Sequence, residues 1–216
     1  MQTPSTFEVA EKIFLIQGAV GQLEVMTQRP ATAMRPLVAV ICHPNPLQEG
    51  TMYNKVVTTI ARAFNALGVA TVRFNYRGVG KSEGQYGDTV GEIADTLAVL
   101  RWAKHELPDC DVWLAGFSFG TFIAARAATQ WPTKQLVSIA PTVDRHDFAS
   151  LPPVHCPWLV VQGEIDEVID PQAVFEWAKQ APVKLITMPQ TGHFFHGKLM
   201  ELKEILVAEL SLAASK

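Results

Sequence analysis

The chain has 216 residues, 48% of them hydrophobic and 18% charged, with a formal net charge of −3 and a pI near 6.1. That length fills one core and is short for two, so one domain over residues 1–216 is expected. With no basic excess to neutralise phosphates, a nucleic-acid partner has no electrostatic support, and a small-molecule role fits better.

Met1–Lys12 carries no basic segment followed by an apolar run, and no stretch reaches the about 18 apolar residues of a membrane span. The pattern is that of a cytoplasmic protein with its start intact and no membrane partner. Phe7–Ile16 and Leu23–Thr27, separated by Gly18 and Gly21, read as an antiparallel hairpin. Leu37–Cys42 is the first parallel strand, Asn54–Leu67 has helical spacing closed by Gly68, and Val69–Phe74 is the next strand. After the glycine-rich loop Asn75–Gly87, a helix begins at Asp88 or Thr89 and runs to about His105, with Pro108 beyond its end. Val112–Ala115, a helix from about Phe119 to Gln130, and Gln135–Ala140 repeat the unit. Trp158–Gln162, the helix Pro171–Gln180, Lys184–Met188 and a last helix from about Lys198 to Leu212 complete it.

Strand-length apolar runs alternating with helical segments predict an α/β fold, a mostly parallel sheet with helices on both faces. No repeat or linker divides the chain. The irregular stretch Pro141–Pro157 is too short for a helical lid, so an open, shallow site is expected. Cys42, Cys110 and Cys156 show neither a Cys-x-x-Cys pair nor the clustering of a zinc site, and read as reduced, mostly buried thiols.

Gly116-Phe117-Ser118-Phe119-Gly120 lies between an apolar strand and an alanine-rich helix. A chain that must pass from strand to helix in so few residues makes a sharp turn that exposes the serine hydroxyl, which marks Ser118 as the candidate nucleophile. A hydroxyl is a weak nucleophile without a base, usually a histidine held by a carboxylate. In open parallel sheets such groups collect at the carboxyl ends of the strands. His193, in the loop after Lys184–Met188, is the preferred base; His196 sits close to the final helix and is expected only to decorate that end. Four acids follow Trp158–Gln162. Asp170 precedes Pro171 and a helical pattern, so it reads as an N-cap. Asp166 is the favoured carboxylate, with Glu164 second and Glu167 solvated.

Acyl transfer also needs backbone N–H donors for the developing oxyanion. One is the amide of Phe119. The other belongs to His43-Pro44-Asn45-Pro46-Leu47, where the prolines have no N–H and Asn45 is the expected donor, with His43 shaping the loop through local hydrogen bonds. No metal or organic cofactor is required by this set. Arg145, His146 and Asp147 lie in the only irregular stretch long enough to border the mouth and could favour a polar substrate, although an exposed loop is the better explanation for them.

These residues resemble the alpha/beta-hydrolase superfamily, in particular small lidless bacterial members related to dienelactone hydrolase. The resemblance is carried by His43-Pro44-Asn45-Pro46 with Gly50-Thr51-Met52, by Phe74–Ser82, by Gly116–Gly120, by Gly163-Glu164-Ile165-Asp166 and by Gly192–Gly197. It implies an eight-stranded sheet with an antiparallel second strand and the chain order serine, acid, histidine at 118, 166 and 193. Dienelactone hydrolases carry cysteine where this chain has Ser118, and the Asn45 position is often histidine in that subgroup. The expected function is a serine hydrolase, a carboxylesterase on small esters; thioester cleavage or other acyl transfer on the same site, and a non-catalytic binding protein, are the alternatives. Asn75–Ser82 ends in Gly-Lys-Ser but lacks the first glycine of a phosphate loop and is not followed by a helix, which disfavours nucleotide binding.

Overall fold

The computed structural model describes residues 4–215, so the first three positions of the N-terminal stretch lie outside it. One eight-stranded sheet organises the chain. β1 (Lys12–Gln17) and β2 (Gln22–Gln28) form the antiparallel hairpin, and β2 also pairs antiparallel with β4 (Ala70–Phe74). From there β3 (Leu37–Cys42), β5 (Asp111–Phe117), β6 (Gln135–Ile139), β7 (Trp158–Gly163) and β8 (Lys184–Met188) run parallel, in the spatial order β1-β2-β4-β3-β5-β6-β7-β8. Five helices cover it: α1 (Lys55–Ala66), α2 (Val90–Glu106), α3 (Phe119–Ala128), α4 (Pro171–Gln180) and α5 (Leu199–Ser215).

The central strands read as unbroken apolar runs because both of their faces are buried. Along β3, Val38, Val40 and Cys42 point to the layer containing α2, α3 and α4, while Leu37, Ala39 and Ile41 point to the layer of α1 and α5. β5 alternates the same way, with Val112 and Leu114 on one side and Trp113, Ala115 and Phe117 on the other. Cys42, Cys110 and Cys156 are unpaired, the first two buried. No helix among the described residues is long and apolar enough to cross a membrane.

Two elements begin elsewhere than expected. β1 starts at Lys12 rather than Phe7; Phe7 is instead a buried plug stacked on Trp102 at 5.9 Å. α2 starts at Val90, because Asp88 and Thr89 take positive φ (49° and 71°) and neither caps it. The Glu92 carboxylate instead turns back to accept from the Gly87 amide at 2.9 Å, fixing the entry to the helix.

The loop after β4 shows why a phosphate site does not form there. The amide of Lys81 and the side-chain amide of Asn75 both donate to Glu24, at 3.1 and 2.7 Å, and Ser82 Oγ donates to the Asn75 carbonyl. A buried carboxylate of β2 thus occupies donors that an anion would need.

Candidate active site

The site sits at the carboxyl ends of the parallel strands. Ser118 closes β5 with φ 53° and ψ −124°, a conformation costly for a residue with a side chain, and is pinned by its amide donating to the Ile139 carbonyl (2.9 Å) and its carbonyl accepting from the Thr121 amide (2.9 Å). The flanking glycines are required by contact. A Cβ on Gly116 would lie 2.1 Å from the Gly120 carbonyl oxygen, and one on Gly120 would lie 2.4 Å from that of Cys42 and 2.6 Å from that of His43. The first turn of α3 is therefore pressed directly on the backbone at the end of β3.

His193 Nε2 is 3.1 Å from Ser118 Oγ, and His193 Nδ1 is 2.8 Å from Asp166 Oδ2, although the three residues come from three separate loops. An ionised Asp166 can only accept, so Nδ1 carries the proton and Nε2 is left as acceptor for the serine hydroxyl. Asp166 also accepts from the amides of Val168 (2.9 Å) and Ile169 (2.8 Å) and from Gln162 Nε2 (3.0 Å). Burial acts to raise its carboxyl, but the hydrogen bonds from His193, Ile169 and Val168 outweigh it and hold it below the ordinary carboxylate value. All three side chains are buried, with Ser118 keeping 8% exposure.

The acid and base loops are locked together. The Ile165 amide donates to the Thr191 carbonyl at 3.1 Å, and Phe195, fully buried at a positive φ of 54°, anchors the histidine loop in the core under α5. Glu167 is exposed, as expected of a solvated acid, yet its carboxylate accepts from the His193 amide at 3.1 Å. Glu164 is exposed and makes no side-chain hydrogen bond among the described residues; Asp170 caps α4, accepting from the Gln172 amide at 2.9 Å. His196 is exposed and lies near Phe194, with ring centroids 5.8 Å apart, rather than near Ser118. Sequence reasoning missed Gln162 and Glu167. A polar residue ending a fully buried strand four positions before Asp166 was the available signal for the first; nothing local marks the second.

The loop after β3 folds around Asn45. Its side chain accepts from the Leu47 amide (2.9 Å) and its carbonyl from the amides of Gln48 and Gly50, both at 3.0 Å, while a short 3-10 turn spans Pro46–Gln48. Among the described residues neither the Asn45 amide nor the Phe119 amide donates to a protein acceptor. His43 is fully buried and ties this loop to the end of β4: Nδ1 donates to the Pro44 carbonyl at 2.7 Å and Nε2 accepts from the Tyr76 amide at 3.1 Å. Burial holds its imidazole neutral, pushing the pKa down to about 3. Arg77 and the buried Asp95 form a second clamp below the site, with three donors of Arg77 (backbone N, Nε and Nη2) on one carboxylate at 2.7–3.0 Å.

Of the irregular stretch, His146 stacks on Phe122 (4.8 Å) and meets Phe119 edge-on (5.6 Å), Arg145 reaches the Val168 carbonyl of the acid loop, and Asp147 stays at the surface capping Ser150. Among the described residues no helical lid covers the site. Among the described residues no group of three or more His, Cys, Asp or Glu is placed to hold a metal ion.

The chain is similar to known proteins in sequence and in fold. The family model described as X-Pro dipeptidyl-peptidase (S15 family) matches residues 21–151, a span that includes Ser118 but ends before Asp166 and His193. An alpha-beta serine hydrolase homologue from Coxiella burnetii is 52% identical, with a TM-score of 0.90 over 92% of this chain and 97% of that one. A serine hydrolase without a lid from Xanthomonas campestris is 42% identical, with a TM-score of 0.89 over 93% of both chains. An uncharacterized protein of Rickettsia prowazekii is 32% identical over 82% of this chain and 79% of its own length. The chain belongs to the α/β serine hydrolase superfamily, as a lidless member whose residues 21–151 match the S15 family model.

Proposed function

We propose that the chain is a carboxylesterase acting on small esters through an acyl-enzyme. The observation that carries this reading is the unbroken chain of hydrogen bonds Ser118 Oγ, His193, Asp166, at 3.1 and 2.8 Å. Ser118 Oγ attacks the ester carbonyl while His193 Nε2 takes its proton, and Asp166 stabilises the imidazolium that forms. The amides of Phe119 and Asn45 receive the negative charge that builds on the carbonyl oxygen; loss of one such donor costs about a hundredfold to a thousandfold in rate. As the C–O bond breaks, His193 returns its proton to the departing oxygen. Water then attacks the acyl-serine, gives its proton to His193, and the acid is released with Ser118 restored. No step draws on a cofactor. Preference for small esters is supported by the lidless, irregular rim, which offers little surface to a long chain.

Hydrolysis of p-nitrophenyl esters of increasing acyl length, acyl-CoA thioesters and X-Pro anilides, together with labelling by a fluorophosphonate, tests this. Short esters should turn over best, and Ser118→Ala should lose both turnover and label. His193→Ala should be as inactive, while His196→Ala stays within a few-fold of the wild type. Selective turnover of thioesters or of X-Pro anilides would replace the ester reading while retaining the nucleophile. An active Ser118→Ala would remove it altogether.

A further inference from the structure

Against the histidine loop lies a cavity of about 320 Å³ that the reaction as described does not use. Its walls are Thr51, Tyr53, Asn54 and Lys55, which lead from the Asn45 loop into α1, and Phe194 and His196 from the histidine loop. The volume is at the small end of ligand pockets, which run from about 300 to 1,000 Å³, and suits one substituted ring rather than a long chain.

Three features define what fits. Tyr53 and Phe194 are half exposed, at 50% and 43%, and offer aromatic faces that the core leaves unused. Lys55 makes no ion pair and its ammonium no hydrogen bond among the described residues, and no acidic residue lines the cavity. The N-terminus of α1 opens onto the same space, adding positive potential to that of Lys55. Position relative to the chemistry decides which half of the ester enters. Phe194 follows His193 directly and its ring meets the imidazole edge-on at 5.0 Å. The leaving oxygen must lie near His193 to take its proton, so the group attached to it falls against Phe194. A separate aromatic wall, Phe119 with Tyr86 and His146, stands at the start of α3, where the neighbouring Arg145 is engaged by the Val168 carbonyl.

We propose that the cavity between the Asn45 loop and the histidine loop is the leaving-group subsite, and that it selects esters whose departing alcohol is a phenol bearing an anionic substituent. The inference rests on the serine-hydrolase reading and names the substrate half that site favours. Tyr53 and Phe194 hold the ring, and Lys55 meets its carboxylate or sulfonate.

The test compares kcat/KM for 4-acetoxybenzoate, phenyl acetate and 4-(trimethylammonio)phenyl acetate in the wild type, Lys55→Met and Lys55→Glu. Each substrate is compared with itself across enzymes, so differences in intrinsic reactivity cancel. Lys55→Met should lose about fivefold on 4-acetoxybenzoate, the worth of one partly exposed ion pair, with phenyl acetate unchanged, and Lys55→Glu should gain on the cationic ester. Breakdown of the acetyl-enzyme should be the same in all three proteins, because the phenol has left by then. Equal losses on all three esters, no loss on the anionic one, or slowed deacylation would each overturn the proposal. An arm independent of turnover titrates 4-hydroxybenzoate into Ser118→Ala and into Ser118→Ala with Lys55→Met, followed by NMR. Saturable binding in the first, weakened in the second, supports the subsite; no binding to the first refutes it even if the esterase mechanism stands.

Discussion

Acidification should weaken the fold through His43. His43 is fully buried, with its imidazole pKa lowered from 6.5 to about 3 by burial, the hydrogen bond to Pro44 offsetting only part of that. Between those two values the unfolded chain binds a proton that the folded chain refuses, so stability falls as pH drops from 6.5 toward 3 and is fully present above 6.5. The slope approaches about 1.4 kcal/mol per pH unit, and between pH 7 and pH 4.5 this one group removes about 2–3 kcal/mol. With a urea m-value of about 2 kcal/mol/M, the unfolding midpoint should fall by about 1–2 M. Urea titrations followed by tryptophan fluorescence at pH 7, 5.5 and 4.5 measure it. His43→Gln, less stable at pH 7, should show a slope flatter by the same amount per unit. His146 is also lowered, chiefly by burial, and acts in the same direction, so His146→Gln serves as the control that leaves the His43 contribution intact. Identical pH slopes in wild type and His43→Gln, or an NMR titration in which His43 protonates near pH 6.5, would refute the reasoning. Protonation would also cost Tyr76 its acceptor and so release the loop that carries Asn45.

Gly120→Ala drives a methyl into the Cys42 and His43 carbonyls at 2.4 and 2.6 Å, atoms of backbone that cannot rotate away. A loss of about 3 kcal/mol, at the upper end for overpacking, should appear in denaturation together with a fall in kcat larger than that in KM; a variant as stable and active as the wild type contradicts the contact. Asp95→Asn leaves the Arg77 guanidinium, 11% exposed, without its carboxylate and should cost about 3–5 kcal/mol. Calorimetry should record that as a drop in Tm of about 10 °C or more, and a shift under 3 °C would show that solvent replaces the partner.

The parallel core was legible because β3, β5 and β7 are buried on both faces and so appear as plain apolar runs. Ser118 was legible because the turn it occupies demands small neighbours, and that demand is written within five residues. Asp170 was separable from Asp166 because proline after an acid before a helix has a local cause. What escaped depends on distant partners. The helix was expected to begin at Asp88 or Thr89, but both are held at positive φ while Glu92 holds Gly87 from the helix side. Phe7 has the pattern of a strand residue, yet Trp102, nearly a hundred positions away, claims it as packing. The grip of Glu167 on the His193 amide and of Arg77 on Asp95 crosses 26 and 18 positions, and no spacing rule announces either.

The strand order turns back on itself between β3 and β5: the chain leaves β3 toward one edge of the sheet and leaves β5 toward the other. Loops departing in opposite directions cannot fill the space between them, so a crevice exists there whatever side chains line it. Its origin is the route of the chain, not its lining. In the subsite proposed above, Lys55 and Tyr53 stand outside the strands, so exchanging them should alter the proposed selectivity without unmaking the opening.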